Sequence, residues 1–285
     1  MRYRALVRLT SNRSILGRRR DLRRRARSGV PQLKGKTCMV TGASSGIGRE
    51  LALVLASYGA RMVLVARRHE LLAEVCAEIR SSGGSARFLT CDLTDGDDVE
   101  RLVSDAQQQD AAPDILVNNA GRSIRRTLLQ STDRFHDYER TIRLNYLSAV
   151  QLTLGLLPSM VERGNAHIVN VGTWGVPAGS MPKFTAYHAS KAALSAFSRS
   201  MGTELARSGV AVSTIHYPLV TTPMIAPTEE YRAFPALSAA DAAEWVVHAI
   251  ESKPVMVQPI FARYLALGSM VAPKYFDSFS LSVGI

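Results

Sequence analysis

Tyr187 and Lys191 are the two residues of this chain whose types and spacing most directly indicate chemistry. They stand four residues apart in the segment YHASK, so on a helix they would share one face. A tyrosine phenol has a solution pKa of about 10 and is a poor acid or base at neutral pH. A neighbouring ammonium group stabilises the phenolate and lowers that pKa. Such a pair could exchange a proton with a carbonyl or alkoxide oxygen.

A glycine-bearing turn, TGASSGIG, stands between an apolar run and an apolar helical stretch. Glycines permit a tight turn and close approach of the backbone to a pyrophosphate, and the following helix N-terminus offers free N–H donors. The spacing is G-x-x-x-G-x-G rather than the common G-x-G-x-x-G, and an ordinary βα turn is the alternative. The predicted cofactor contacts in this turn are Gly42, Ser44, Ser45, Gly46, Ile47 and Gly48.

The second apolar run ends in Ala66, Arg67 and Arg68, with no acidic residue. An acid at that position would bind the ribose hydroxyls of NAD, whereas an arginine suits the 2′-phosphate of NADP. We therefore predict NADPH/NADP as the cofactor, bound through Arg67, with Arg68 as the lesser candidate. Two solvated loop arginines are the alternative interpretation.

The elements that must position these groups alternate along the chain. Continuously apolar strands separated by helical patterns predict right-handed βαβ units and a parallel sheet covered by helices on both faces. The predicted class is α/β, a single doubly wound domain with about seven strands. The predicted strands are Lys36–Thr41, Arg61–Ala66, Ala86–Thr90, Ile115–Asn118, His167–Val171, Ala211–His216 and Val255–Gln258. The predicted helices are Arg49–Ser57, Glu70–Ser81, Asp97–Gln107, Phe135–Met160, Tyr187–Ser208 and Ser238–Ser252.

Composition excludes several other classes. Of the 285 residues, 46% are hydrophobic and 21% are charged, which suits a sizeable core and excludes disorder of the whole chain. The sequence holds no uninterrupted apolar run of about 18 residues, which excludes a polytopic membrane protein. The cysteines, Cys38, Cys76 and Cys91, are odd in number and widely spaced, so we predict a reducing, cytoplasmic compartment and neither a disulfide framework nor a metal site.

Positive charge is concentrated in residues 1–30. They contain 11 Arg and one acid, whereas the remaining 255 residues contain 24 Lys or Arg against 23 Asp or Glu. Because the rest of the chain is nearly neutral, nucleic acid is not the predicted partner. The tail could be a disordered extension, a polybasic anchor for anionic lipid headgroups, or a targeting segment or nucleic-acid arm. Residues 31–258 form the predicted domain, and 259–285 an apolar extension that could be a flap, a dimer surface or a membrane contact.

Three motifs in order, TGASSGIG, NNAG at 118–121 and YHASK, together with Asn145, resemble the classical short-chain dehydrogenase/reductase family over about residues 34–255. The resemblance implies a Rossmann-like fold and, through the long helices, a homo-oligomer. It implies that Tyr187 is the acid–base, that Lys191 binds the nicotinamide ribose, and that Asn145 holds a proton-relay water. Further cofactor contacts implied by the resemblance are Asp92 at the adenine, Leu93, Asn118, Ala120, Gly121, Pro218, Val220 and Thr222.

Two segments depart from the family pattern. Where the family has its catalytic serine, this chain has Thr173, whose hydroxyl can donate the same hydrogen bond but whose side chain turns less freely. Ser180 is the alternative candidate. The segment PLVTT at 218–222 lacks the usual glycine after the proline and is one residue shorter.

Three stretches resemble, more narrowly, the fatty acyl-CoA reductases of the short-chain type: 118–126, 133–146 and 218–228. This implies NADPH-dependent reduction of a long-chain acyl thioester to the aldehyde, with Thr173 and Tyr187 stabilising the developing oxyanion. Arg122, followed by Arg125 and Arg126, could meet CoA phosphates, although a solvated basic loop is the alternative. Met224 would contribute an apolar wall.

Two other functions stay open at this stage. One is a reductase or dehydrogenase of the same fold that acts on a ketone or secondary alcohol of a lipid or steroid. The other is a non-enzymatic cofactor-binding scaffold. A lipid substrate would also suit peripheral contact of the basic tail and the apolar C-terminus with a membrane.

Overall fold

The computed structural model describes residues 33–108, 112–226 and 228–283. The predictions for the basic tail, residues 1–30, fall outside the described residues. The described chain is built on a seven-stranded sheet in which every strand pair is parallel, in the order β3-β2-β1-β4-β5-β6-β9. These strands are β1 Thr37–Thr41, β2 Arg61–Ala66, β3 Ser85–Thr90, β4 Ile115–Asn118, β5 Ala166–Thr173, β6 Val210–Tyr217 and β9 Met256–Val257. Strands β7 Val220–Thr221 and β8 Leu237–Ser238 form a separate parallel pair.

Helices cover both faces of the sheet, as the apolar runs predict. They are α1 Gly46–Ser57, α2 His69–Ser81, α3 Gly96–Gln108, α4 Phe135–Ile142, α5 Ser148–Arg163, α6 Gly175–Ala178, α7 Thr185–Glu204, α8 Ala239–Ser252, α9 Ile260–Val271 and α10 Pro273–Val283. Short 3₁₀ turns lie at Leu129–Ser131, Leu205–Arg207 and Glu229–Ala233. The α/β, doubly wound prediction is confirmed.

Two hydrophobic clusters show why each strand is apolar along its whole length. In β1, Cys38 and Val40 pack into one cluster with α1, α2 and α8, whereas Met39 between them packs into the other with α3, α5 and α7. Both faces of the strand are therefore buried, as in sheets covered on two sides. From β1 the sheet is extended first on one side, by β2 and β3, and then on the other side, by β4, β5 and β6. This reversal of strand order leaves a crevice at the carboxyl ends of β1 and β4.

The long helical stretch predicted over Phe135–Met160 is not one regular helix. A π-helical turn, Arg143–Leu147, separates α4 from α5, and α5 continues to Arg163. By length and composition the whole stretch Phe135–Arg163 could cross a bilayer, but α5 buries Leu152, Leu156 and Met160 against the sheet. Single π turns inside α-helices often mark functional sites.

The apolar segment after β9 folds as two helices, α9 and α10. The rings of Phe261 in α9 and Trp174 meet edge to face with centroids 5.5 Å apart, which attaches the segment to the wall of the crevice beside α6. Strands β7 and β8, each two residues long, were not predicted. At the start of α8, the Ser238 hydroxyl accepts the backbone N–H of Asp241 at 3.0 Å, the cap that the sequence predicts.

Candidate active site

A cleft of about 380 Å³ opens at the carboxyl ends of β1, β2, β4, β5 and β6. The predicted site residues that line it are Gly42, Ser44, Ser45, Gly46, Ile47, Arg67, Arg68, Asp92, Leu93, Ala120, Gly121, Arg122, Thr173, Tyr187, Lys191, Pro218, Val220, Thr222 and Met224. Ser180 does not line it. The fold thus brings most of the predicted residues into one space.

The glycine turn is packed too tightly for side chains. A Cβ at Gly48 would lie 2.3 Å from the carbonyl oxygen of Gly42, and one at Gly42 would lie 3.0 Å from the Cα of Ala120. Gly42 and Gly46 both have positive φ, at 68° and 56°. Ser45 precedes α1 but makes no side-chain cap, so it leaves the first N–H groups of the helix to a ligand. This cradle fits the phosphates of a dinucleotide.

The two arginines after β2 point to different partners. The Arg68 guanidinium donates to the hydroxyls of Ser44 at 3.0 Å and Ser45 at 2.8 Å, and so covers the glycine turn. Arg67 lies 3.7 Å from the Asp92 carboxylate and is 70% exposed. The structure therefore gives Arg68, the lesser sequence candidate, the closer contact with the phosphate cradle.

Tyr187 lies in the first turn of α7, facing the end of β5. Burial raises the pKa of the Tyr187 phenol to about 12, and a hydrogen bond with the Thr173 side chain acts in the opposite direction. Thr173 is the last residue of β5 and is buried. This contact places Thr173, rather than Ser180, beside the phenol.

Lys191 follows Tyr187 by one helical turn but does not donate to the phenol. Its ammonium donates to the carbonyl oxygen of Val171 at 2.8 Å. Burial lowers the pKa of Lys191 to about 8. The sequence-based expectation that this ammonium lowers the phenol pKa thus has no counterpart in the contacts of the structure, where burial dominates.

Asn145 lies behind the cleft, next to the cleft-lining Gly121. The Asn145 side chain accepts the N–H of Arg122 at 2.8 Å and donates to the Arg122 carbonyl and the Ser190 hydroxyl, each at 2.9 Å. A Cβ at Gly121 would lie 3.2 Å from Asn145 Oδ1 and 3.3 Å from Lys191 Nζ. The π turn that carries Asn145 therefore holds the loop after β4 against α7.

A buried polar network supports the same region. Asn118 donates to the Thr153 hydroxyl at 3.1 Å and to Asn170 Oδ1 at 2.8 Å, and Asn170 donates to the Ser198 hydroxyl at 2.7 Å. These bonds join β4, β5, α5 and α7. Asn118, Asn145 and Gly48 do not line the cleft. Their contacts position the backbone and side chains that do.

Several residues at the site were not predicted. Trp174, Met181, Phe184 and Tyr231 line the cleft near Tyr187 and give it an apolar wall. Their only sequence signal is that they are aromatic or long apolar residues in loops next to the motifs.

His216 lies directly behind Thr173. It pairs with Gly172 in the β5–β6 register, and its Nδ1 lies 3.0 Å from the Thr173 carbonyl oxygen. Burial lowers the pKa of His216 to about 4, so the ring is neutral at physiological pH. Within the ranges that the structure describes, no group of three or more His, Cys, Asp or Glu side chains could hold a metal ion.

Comparisons with known proteins agree with this architecture. A profile for short chain dehydrogenases matches residues 36–233. The chain is 48% identical to a fatty acyl-CoA reductase of Mycobacterium tuberculosis, over 86% of this chain and 84% of that protein. It is 44% identical to a fatty acyl-CoA reductase of Acinetobacter baylyi, over 88% of this chain and 85% of that protein.

Solved structures give the same result for the fold. An actinorhodin polyketide ketoreductase crystallised with NADPH is 29% identical, with a TM-score of 0.72 over 78% of this chain and 95% of that chain. The L-sorbose reductase of Gluconobacter frateurii, in complex with NADPH and L-sorbose, is 25% identical, with a TM-score of 0.72 over 80% of this chain and 96% of that chain. Sequence motifs, sheet order, site geometry and relatives agree, and the chain belongs to the short-chain dehydrogenase/reductase family.

Proposed function

We propose that the protein is an NADPH-dependent reductase that converts a long-chain fatty acyl-CoA thioester to the aldehyde. The observation that carries the proposal is similarity to two fatty acyl-CoA reductases, at 48% and 44% identity over most of each protein. The cleft adds support, because the Thr173–Tyr187 pair meets an apolar wall there.

NADPH would be held by the groups that line the inner part of the cleft. The turn from Gly42 to Gly48 and the N-terminus of α1 suit the pyrophosphate, and Arg68 with the two turn serines suits the 2′-phosphate. Asp92 and Leu93 suit the adenine, and Ala120 and Gly121 line the same groove. Lys191 would donate to the nicotinamide ribose, and Pro218, Val220 and Thr222 would border the nicotinamide.

The chain's own groups would act on the carbonyl oxygen. When bound, the reduced nicotinamide supplies the hydride that is added to the carbonyl carbon. Tyr187, a neutral phenol at pH 7, donates its proton to that oxygen as negative charge develops on it, and the Thr173 hydroxyl donates a second hydrogen bond. The Tyr187 phenolate then takes back the hydroxyl proton of the hemithioacetal and the C–S bond breaks. The sulfur takes one proton from solvent and leaves as CoA thiol beside the aldehyde.

The acyl chain would lie against the outer, apolar part of the cleft. Trp174, Met181 and Phe184 form one side of it, and Met224 and Ile225 in the loop after β7 form another. Apolar walls of this kind give affinity for an acyl chain, since each buried methylene contributes about 0.8 kcal/mol.

Oxidation of NADPH with palmitoyl-CoA, followed together with release of free thiol, tests the function. We expect thiol to appear in step with loss of NADPH, and a long-chain aldehyde to accumulate. NADPH oxidation with a lipid ketone and none with palmitoyl-CoA would reject the proposal in favour of carbonyl or alcohol chemistry. The variant Tyr187→Phe is the control for turnover by the described site.

We propose that the C-terminal helices make peripheral contact with an anionic membrane surface and that the protein is cytoplasmic. Apolar side chains on α9 and α10 are exposed, among them Met270 at 81%, Val271 at 74% and Tyr275 at 83%. Residues 1–30 carry 11 Arg, which suits anionic headgroups, and the described cysteines are free thiols. Co-sedimentation with anionic vesicles tests this contact, and we expect the double variant Met270→Glu/Tyr275→Glu to lose vesicle binding. Unchanged vesicle binding of that variant would contradict the proposal.

We propose further that the protein is a homo-oligomer that pairs through α5. Leu147, Leu154 and Val161 recur every seven residues along this helical stretch and are exposed by 40%, 57% and 38%. Such a stripe suits a second copy of the same helix. Sedimentation equilibrium should show a dimer or tetramer, and Leu154→Glu should shift it toward monomer; a monomeric wild-type protein would contradict this.

A further inference from the structure

Asp137 is the centre of an arginine cluster that the sequence analysis did not identify. Its carboxylate is 2% exposed and forms ion pairs with Arg126, Arg134 and Arg140, with Arg134 Nε at 3.1 Å. Burial alone would raise the pKa of Asp137, but the hydrogen bond from Arg134 and the three positive charges outweigh it and hold that pKa below its usual value. One ionised carboxylate therefore balances one of three cations and leaves a net charge of about +2.

Arg122 adds a further positive charge beside this cluster. Its backbone is fixed on both sides by the Asn145 side chain, at 2.8 and 2.9 Å. Its guanidinium lines the cleft and has no ion-pair or hydrogen-bond partner among the described residues. Partial burial lowers the pKa of Arg122, the nearby charges of Arg140 and Arg67 lower it further, and the charge of Asp137 opposes them. Among the described residues, cations therefore outnumber carboxylates at this edge of the cleft.

One backbone and one side-chain hydrogen bond join the cluster to the opening of the substrate part of the cleft. Arg126 donates its N–H to the carbonyl oxygen of Lys183 at 2.7 Å, one residue before the cleft-lining Phe184. The Tyr138 hydroxyl lies 2.7 Å from the Thr185 hydroxyl at the start of α7. The cluster thus has a fixed position relative to Tyr187 two residues later.

Arg125 differs from Arg122. It lines the cleft but pairs with Glu230 at 3.1 Å, on the 3₁₀ turn across the opening. Of the three arginines in the loop after β4, Arg125 and Arg126 thus have carboxylate partners, and Arg122 has none within the described part of the chain.

We propose that Arg122 and the arginines around Asp137 form a phosphate-binding subsite for the nucleotide part of coenzyme A. This inference rests on the proposed function, because it assigns a place to the carrier of the thioester. Guanidinium groups bind phosphate oxygens through paired, charge-assisted hydrogen bonds, and coenzyme A presents a diphosphate and a separate 3′-phosphate. The surplus of cations over carboxylates suits such a ligand better than a self-contained salt-bridge cluster.

The test compares two thioesters that differ in their phosphates, decanoyl-CoA and S-decanoyl-N-acetylcysteamine. In Arg122→Ala/Arg140→Ala we expect KM for decanoyl-CoA to rise by about tenfold or more, because charged hydrogen bonds are lost. The kcat/KM for the phosphate-free thioester and the KM for NADPH should stay unchanged. Asp137 keeps Arg126 and Arg134 in this variant, so the fold retains its partners. Arg61→Ala, an exposed arginine at the amino end of β2, is the matched control.

Equal effects of the double variant on both thioesters, or none on either, would overturn the subsite. A larger effect on a decanoyl-acyl-carrier protein than on decanoyl-CoA would also overturn it, in favour of an acidic protein partner. Binding of adenosine 3′,5′-bisphosphate in saturating NADPH, measured by calorimetry, separates this inference from the function. Binding that the variant abolishes supports the subsite even without thioester turnover, whereas thioester reduction by an enzyme that does not bind the bisphosphate overturns the subsite alone.

Discussion

The guanidinium of Arg68 lies 2.8 Å from the hydroxyl oxygen of Ser45, the residue that directly precedes α1. An arginine thereby covers the positive end of a helix dipole, where only an anion could relieve the accumulation of positive charge. The phosphates of a dinucleotide would provide negative charge beside these groups. The contact places a cation after β2 at the edge of the glycine turn.

Arg68→Ala should therefore weaken NADPH more than Arg67→Ala. We expect the KM for NADPH to rise by about tenfold or more in Arg68→Ala, the size of a lost charge-assisted hydrogen bond. KM for NADH should change little, since NADH lacks the phosphate. Steady-state kinetics with both cofactors check this, and a larger effect of Arg67→Ala on NADPH would restore Arg67 to the leading role.

Removing the phenol hydroxyl should stop turnover and leave binding intact. In Tyr187→Phe we expect kcat to fall by about 100-fold or more, the usual contribution of a positioned proton donor. Fluorescence titration with NADPH should give an unchanged Kd, because the ring still fills its place in the cleft. A variant with full activity would refute every mechanism in which this phenol donates the proton.

The Thr173 hydroxyl should matter through its hydrogen bond rather than its shape. Thr173→Val keeps the volume and removes the donor, so kcat should fall by about 100-fold. Thr173→Ser keeps the hydroxyl and should retain most of the activity. If the two variants are equally active, Thr173 has no role at the reacting oxygen, and Ser180 becomes the residue to test.

Much of the fold could be predicted because both faces of the sheet are buried. The strands Arg61–Ala66 and Ile115–Asn118 were predicted with the bounds that the structure gives, since their apolar runs end sharply at polar residues. The glycine turn and the YHASK segment were also placed on the correct elements. Local sequence was sufficient in these cases because the apolar pattern and the glycines determine the secondary structure of each segment.

Other features depend on register and on backbone direction, which a single sequence does not display. The approach of His216 to Thr173 follows from the pairing of β5 with β6. Which of the adjacent residues Arg67 and Arg68 turns toward the cradle depends on the backbone at the end of β2. The π turn at Arg143–Leu147 has the same apolar period as a regular helix, so its extra residue left no signal.

Two buried histidines should make stability depend on acid pH. Burial lowers the pKa of both His167 and His216 to about 4, below the value of about 6.5 for an unfolded chain. Between these values the unfolded state binds more protons, so the free energy of unfolding should fall as the pH drops from 6.5 toward 4. Urea denaturation measures the free energy of unfolding at pH 7 and at pH 5. The difference between the two values should be smaller in His167→Gln than in the wild type. His69 is exposed, so His69→Gln is the control and should keep the wild-type pH dependence. If both variants reduce the pH dependence equally, the buried histidines are not its cause.

Gly172 and His216 should be energetically coupled. A Cβ at position 172 would lie 2.7 Å from Nδ1 of His216, and that ring is held by the Thr173 carbonyl oxygen. Gly172→Ala should therefore displace the ring, cost about 1–3 kcal/mol of stability through overpacking, and lower kcat by moving Thr173. Removing the ring should relieve the clash, so the double variant Gly172→Ala/His216→Ala should lose less stability than the two single variants summed, by about 0.5–3 kcal/mol.

Urea denaturation of the four proteins in this cycle measures that coupling. The control cycle combines Gly96→Ala with His216→Ala. A Cβ at position 96 would meet only Gln151, at an ordinary contact distance of 3.5 Å. The stability effects of these two substitutions should therefore add. Additivity in the Gly172 cycle would mean that the ring can move away freely. In that case His216 would not fix the position of Thr173.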